Sequence, residues 1–288
     1  MDPSGLSPEP EPTRSSMSAM AELLLDSNPR IHEICAKRLR GFGREALAVL
    51  QEIEECEDPR ARARVRSLQR RIHLDLWERD HLGRLRSQQV DLEEAWIEIG
   101  SLVDPQVDAD RQRRGLDLYA ALLEPRLRGR DPHALAGEFR HFFYGELGFD
   151  GDRDSYDNPD NCFLHRVLVR RRGMPAALCA LYLLVARRIG LDLDPVPLPG
   201  HFLLRFPGPR PLYLDSFNGG RVLTRKACLR KLRELGYGYN ASCLQASSEE
   251  DVFLRILSNL VHSLGLLGRR GEADALRSYR SELPSFRH

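Results

Sequence analysis

The sequence predicts an α+β fold that is predominantly helical, and three observations predict it. Apolar residues recur at helical spacing through most of the chain, and run after run opens at an Asp-Pro or Asn-Pro pair, at Asn28-Pro29, Asp58-Pro59, Asp104-Pro105 and Asp131-Pro132. One segment, residues 175–189, is apolar almost all round, as a helix buried on most sides must be. Two short runs of strand composition follow it, His201-Phe202-Leu203-Leu204-Arg205-Phe206 and Pro211-Leu212-Tyr213-Leu214-Asp215, with Pro207-Gly208-Pro209-Arg210 as the turn between them. The architecture implied is a buried helix against a small antiparallel sheet, set among further helices.

Composition narrows the classes of function. Of 288 residues, 42% are hydrophobic and 30% charged, enough for one large domain or two modest ones with real cores. The formal net charge is +1, so no global field draws the chain to nucleic acid or to an anionic membrane. Cys35, Cys56, Cys162, Cys179, Cys228 and Cys243 are widely spaced and form no CxxC pair, which suits buried free thiols in a reducing, cytoplasmic setting. The first residues show no basic stretch followed by an apolar one, so no secretory signal is read there. The longest apolar run, residues 174–186, is too short to cross a bilayer, and a soluble protein without a cofactor is expected.

In chain order, residues 1–18 are rich in Pro, Ser and Glu and are expected to form a disordered tail. Residues 19–90 read as helix after helix. Met20, Leu23, Leu24 and Leu25 open the region, and Ile31, Ile34, Cys35 and Leu39 form a second face, capped by Asn28 and broken at Gly41-Phe42-Gly43. Ala46, Leu47, Leu50 and Ile53 form a third face, and Val65, Leu68, Ile72, Leu76 and Trp77 a fourth. Paired helices of this kind are similar to HEAT repeats and also to an ordinary helical bundle. Arg60, Arg62, Arg64, Arg66, Arg70 and Arg71 lie among acidic residues without interleaved aromatics, so they read as a solvated helix face and not as a nucleic-acid surface.

Residues 91–245 carry the main domain. Asp91 caps a helix with Leu92, Ala95, Trp96, Ile99 and Leu102 on one face; a helix after Asp104-Pro105 carries Leu116, Leu118, Ala120 and Leu123. Asp131-Pro132 opens a third, whose Phe139, Phe142, Phe143 and Leu147 belong to the core. The loop at 149–161 holds five Asp. Asp150, Asp152 and Asp154 match the start of a calcium loop, but Ser155 stands where glycine is needed and Asn161 where a bidentate Glu belongs; a surface turn without metal is expected. Residues 161–172 read as a helix stopped by Gly173, with Phe163, Leu164, Val167 and Leu168 inward. Residues 192–206 read as one strand whose first half, with Pro195, Pro197 and Pro199, keeps to an edge or an irregular path. Thr224 is a candidate cap for a helix at 225–235. Two helices within residues 246–288, joined at Gly268-Arg269-Arg270, are similar to one tetratricopeptide unit and are expected to pack on the core.

Three blocks in order, NCFLHRVLVRRRGMPAALCALYLLVARRIGL, LPGHFLLRF and LDSFNGGRVL, resemble the SirB-type branch of the transglutaminase-like superfamily, over residues 91–283. The resemblance implies a papain-like core: Gly-x-Cys opening an apolar helix that ends in Arg-x-x-Gly, then a His strand, then an Asp strand. On this sequence Gly173 takes the Gly, Arg187-Arg188-Ile189-Gly190 the helix end, His201 the His and Asp215 the Asp, while the nucleophile position falls on Pro175. The SirB-type branch is similar to this chain in having Gly-x-Pro there.

Proline at 175 removes both a nucleophile and a backbone donor for an oxyanion. His201 and Asp215 remain as a remnant triad that can act as a general base for water, or simply hold a hairpin. Two thiols are candidate substitutes: Cys179, one turn deeper in the same helix, and Cys162, at another helix start with His165 three residues on, a setting that lowers a thiol pKa. Two readings follow. The first is a non-catalytic module whose cleft binds a protein or peptide; the second is a His–Asp hydrolase, or a thiol enzyme with a relocated cysteine.

Overall fold

A computed structural model describes residues 13–26, 28–54, 57–85, 91–129, 131–206, 208–234, 236 and 241–283. The fold is α+β and predominantly helical, as the sequence predicts. It divides into two compact units, Met1–Gly83 and Arg84–His288.

The first unit contains α1 (Arg14–Glu22), α2 (Pro29–Phe42), α3 (Arg44–Glu52) and α4 (Pro59–Leu85). Helix α1 begins inside the segment expected to be a disordered tail: Thr13 accepts the Ser16 amide as N-cap, and Met17 and Ala21 are buried against Leu24 and Leu39. Residues 1–12 of that expected tail lie outside the described residues. Asn28 caps α2 with Pro29 in its first turn, as read. Ile34, placed on the apolar face by its spacing, is instead 62% exposed. The buried stripe runs through Cys35 and Leu39, and Ile34 sits about 100° round the helix from Cys35. Gly43, at φ +59°, turns α2 directly into α3. Arg40 and Arg44 reach Asp75 and Asp80 on α4, and Arg66 reaches Glu54.

The second unit opens with α5 (Leu92–Gly100), capped by Asp91, whose carboxylate accepts the Glu93 and Glu94 amides. Helix α6 (Ala109–Leu127) is capped by Asp108 and not by Asp104; Asp104 instead closes a turn by accepting the Gln106 amide. Leu118, read as inward, is 56% exposed. Then follow α7 (Pro132–Arg140), a π-helical stretch at His141–Glu146, β1 (Asp150–Gly151), α8 (Leu164–Arg170), β2 (Arg172–Gly173) and α9 (Pro175–Arg188). Helix α9 is buried from Pro175 through Ala186. It packs against α6, α8, α11 (Glu249–Leu266) and the sheet, which is why no polar face was legible in it. Its Tyr182 ring lies 4.2 Å from that of Phe143, inside an aromatic cluster with Phe139 and Phe149.

The sheet has four antiparallel strands in chain order: β3 (Asp194–Leu198), β4 (His201–Phe206), β5 (Leu212–Asp215) and β6 (Arg221–Thr224). Two of these correct the sequence reading. The run at 192–206 is a hairpin, folded at Pro199-Gly200 with Gly200 at φ +69°, and Asp194 pairs with Arg205. Prolines at 195 and 197 are two apart, so their missing donors fall on one side of β3, the outer edge, and the pairing side stays complete. Strand β6, where only a lead into the next helix was read, pairs Arg221 with Asp215 and Thr224 with Leu212. Helix α10 (Arg225–Glu234) covers one side of the sheet through Cys228 and Leu232, against Val196, Leu203 and Tyr213, and Thr224 caps it by accepting the Ala227 amide. Helices α11 and α12 (Arg270–Ser281) close the unit; Tyr279 donates to Glu98 of α5 at 3.0 Å.

One buried ion pair fastens the end of α9. Glu93, 7% exposed, takes both terminal nitrogens of Arg188 at 2.7 Å. Glu93→Gln is expected to cost about 2 kcal/mol in urea unfolding, below the roughly 3–5 kcal/mol of an orphaned buried charge, because Arg188 keeps Asp117. An unchanged midpoint would show that the pair contributes nothing net.

Candidate functional site

Strand pairing puts Asp215 at the end of β5 opposite Leu203, two residues beyond His201 on β4. The ring Nε2 of His201 lies 2.6 Å from Asp215 Oδ1. The hairpin thus brings together the two residues that the sequence singled out. His201 is 13% exposed in its side chain and Asp215 2%. Among the described residues Nδ1 of His201 has no hydrogen-bond partner. With Nε2–H given to the carboxylate, Nδ1 of a neutral ring carries the free lone pair, the state a general base requires.

Sequence reasoning found the pair but missed what holds it. The amides of Phe217 and Asn218 donate to Asp215 Oδ1 at 3.3 and 3.2 Å, the side chain of Asn218 donates to Oδ2 at 2.9 Å, and Lys231 on α10 reaches Oδ2 at 3.1 Å. Burial alone would raise the pKa of Asp215. The hydrogen bond from His201, its charge when the ring is protonated, the Asn218 amide and the Lys231 ammonium outweigh burial and hold the carboxyl well below the usual carboxylate range. The Asp-Ser-Phe-Asn-Gly-Gly text does carry a turn signal that could have pointed to Asn218. For Lys231 no such signal exists, since it arrives from the next helix.

Phe217 forms a wall beside the pair. Its ring stands edge-on to His201 at 6.0 Å and to Tyr156 at 5.7 Å, and Arg153 lies over it at 5.4 Å while donating to its carbonyl. The acidic loop at 149–161 is knitted into this wall. Asp150 accepts the Gly219 amide and pairs with Arg153; Asp152 accepts the Ser155 amide and Arg170. Among the described residues no group of three His, Cys, Asp or Glu converges on a point where a metal would sit.

Pro175 is the first residue of α9 and is buried. The next residue after Asp215, Ser216, donates its hydroxyl to the Pro175 carbonyl at 3.4 Å, so the helix start does adjoin the end of the Asp strand. Tyr144 donates to the Ser216 carbonyl at 2.7 Å, and burial pushes its phenol far up. The start of α9 therefore presents a ring without an N–H, beside the Ser216 hydroxyl.

Neither candidate substitute thiol is exposed. Cys162 is fully buried; its sulfur is 3.3 Å from that of Met174, and burial pushes its pKa up, opposite to the lowering expected from a helix start. The expectation fails because Cys162 ends a short 3-10 turn while α8 begins two residues later, and Trp96 donates to its carbonyl at 2.6 Å. His165, its expected partner, has both ring nitrogens buried without a hydrogen bond, and its ring packs on Gly100. Cys179 is also fully buried, with its sulfur 3.9 Å from the Leu203 carbonyl and its pKa raised by burial.

A family model described as the transglutaminase-like superfamily matches residues 111–258, from α6 into α11. Among curated proteins the chain is 38% identical over 140 residues to a UPF0162 protein of Xylella fastidiosa, a match covering 46% of this chain and 49% of that one. A UPF0162 protein of Vibrio cholerae is 41% identical over 92 residues, covering 31% and 34%. Human F-box only protein 21 is 36% identical over 143 residues, which make up 46% of this chain and 22% of the human one. The chain thus spans at most about half the length of these relatives. No solved structure matches the chain.

Proposed function

The chain belongs to the transglutaminase-like superfamily, and from that premise we propose that it is a non-catalytic member, a protein- or peptide-binding module of the SirB type. The observation that carries this reading is Pro175 at the start of α9, where a nucleophile would stand. The burial of Cys162 and Cys179 supports it, since neither thiol is poised to ionise. So does similarity to chains of very different length, covering 49% of one relative and 22% of another, as befits a transferable module. The helical pair α11–α12 would support the cleft in the manner of a tetratricopeptide unit, and the helices of the first unit would offer a HEAT-like surface of their own.

A second reading keeps a hydrolase that uses His201 as general base and Asp215 to orient it; the 2.6 Å contact between them favours it. Iodoacetamide labelling of the intact protein across a pH series, mapped by mass spectrometry, separates the binding module from a thiol enzyme. We expect the partly exposed Cys243 to react while Cys162 and Cys179 stay unmodified. Selective labelling of Cys162 or Cys179 below neutral pH, abolished in His201→Ala, would overturn the non-catalytic reading. A panel of peptide and amide substrates tests the hydrolase. The binding reading itself requires that the folded chain enrich sequences from a random peptide library; no enrichment over an unrelated fold counts against it.

A further inference from the structure

Charge is not spread evenly over this near-neutral chain. The segment from Arg221 to Glu234, β6 and α10, carries Arg221, Arg225, Lys226, Arg230, Lys231 and Arg233 against Glu234 alone, in a molecule of net charge +1. Two adjoining hollows of about 340 and 450 Å³ share Asn218 and Arg221. Arg230 and Lys231 line the first, Arg140 and Arg153 the second. Other arginines of this unit are neutralised by carboxylates, as Arg113 is by Glu94, Arg170 by Asp152 and Arg205 by Asp194. Arg221 and Arg230 are exposed and have no carboxylate partner among the described residues. Five cations, Arg140, Arg153, Arg221, Arg230 and Lys231, face three carboxylates, Asp150, Asp215 and Glu234, around these hollows, and an anionic occupant relieves the repulsion that remains.

Arg221 and Leu223 of β6 line the first hollow. Strand β6 is the outer strand, and among the described residues no main-chain hydrogen bond leaves its far side. The opposite edge is protected. Strand β3 carries Pro195 and Pro197, and the Ser247 amide already occupies the Pro195 carbonyl. Strand β6, Arg-Val-Leu-Thr, has no proline, and Val222 is 37% exposed. Basic residues along such an edge deter a second copy of the same strand and admit a strand of opposite charge.

We propose that an extended acidic segment of a protein partner adds to the β6 edge, with its carboxylates on Arg221 and Arg230. This rests on the peptide-binding reading above and names its partner chemistry. A nucleic acid fits less well, because among the described residues no exposed aromatic lines the groove for base stacking and Asp150 and Glu234 stand at its rim. Four residues of β6 span about 13 Å, enough to engage a short strand. The groove also backs onto the His–Asp pair, since Lys231 contacts Asp215.

The test uses the full chain and a fluorescein-labelled heptapeptide of alternating Glu and Val. Binding should weaken about tenfold or more in Arg221→Glu/Arg230→Glu and weaken with added salt. Arg270→Glu, a surface reversal on α12, should leave it unchanged, with circular dichroism confirming that each variant is folded. Peptide binding should slow hydrogen exchange at residues 221–224, and a copy N-methylated at alternate amides, with its charge intact, should bind at least about tenfold more weakly. Equal binding of the methylated peptide, or no protection at 221–224, would reduce the effect to unspecific charge and overturn the proposal. So would oligouridylate of equal charge competing as well as the peptide. A random library that selects only neutral peptides would sink this proposal and leave the binding function standing; a library that selects nothing would tell against both.

Discussion

Asp215→Asn is expected to destabilise the sheet-bearing unit by about 3 kcal/mol, the cost of removing one member of a buried charge cluster. The amide is isosteric and can still accept the Phe217 and Asn218 amides through its oxygen. Its NH2 group, however, must face His201 Nε2 or Lys231 Nζ, both donors to the carboxylate in the wild type. For a unit of this size that loss corresponds to a fall of roughly 6–12 °C in melting temperature. The effect should depend on pH in one direction. The folded pKa of Asp215 is depressed, so its contribution is fully present above the unfolded value of about 4 and is lost as pH falls through the folded value. Thermal melts of wild type and variant should therefore differ by a constant amount above about pH 5 and converge in acid. A variant more stable than wild type would carry a different message: a pair retained at a cost in stability is a pair retained for function, and the hydrolase reading would gain.

What the sequence revealed of this site, and what it withheld, follows the range of the interactions. His201 and Asp215 sit 14 residues apart on two strands joined by one turn, so period-2 patterning and the Pro-Gly-Pro signal were enough to bring them together. Helix α9 was legible for a similar reason: a segment with no polar face has only one place to go. Lys231 was not legible, because its approach depends on how α10 lies across the sheet, a tertiary fact without local text. Strand β6 was missed because Arg221 and Thr224 point to solvent and leave no alternating apolar pattern over four residues. The hairpin of β3 and β4 was hidden because Pro195, Pro197 and Pro199 read as one edge or irregular path, which masks the turn at Pro199-Gly200. The first half of α1, up to Ser18, reads as tail because Met17 is its one buried residue. Cys162 misled in the opposite way. Its spacing to His165 looked chemical, yet Trp96 and Met174 enclose it.

The wall beside the pair depends on one glycine. Gly151, in the short parallel bridge of β1 and β2, donates its amide to the Phe217 carbonyl at 3.2 Å. A methyl group there would stand 2.5 Å from that same carbonyl oxygen and inside the Phe217 ring. A side chain alone could rotate away; a backbone oxygen that is already accepting the Gly151 and Arg153 donors cannot withdraw without breaking them. Gly151→Ala is therefore expected to cost about 3 kcal/mol, the upper end for overpacking, and to displace Phe217 from the edge of His201. Urea unfolding measures the first effect, and the His201 ring proton shifts, which sense the Phe217 ring current, measure the second. The double variant Gly151→Ala/Phe217→Leu separates the two sources of strain, because it shrinks the ring and leaves the carbonyl in place. Partial recovery of stability without recovery of the His201 shifts is the expected result. Gly137→Ala, where a methyl group meets nothing within 4 Å, serves as the control for a glycine on an open helix face. If Gly151→Ala matched that control, Phe217 would be free to move, and the wall beside the His–Asp pair would be a gate and not a fixed surface.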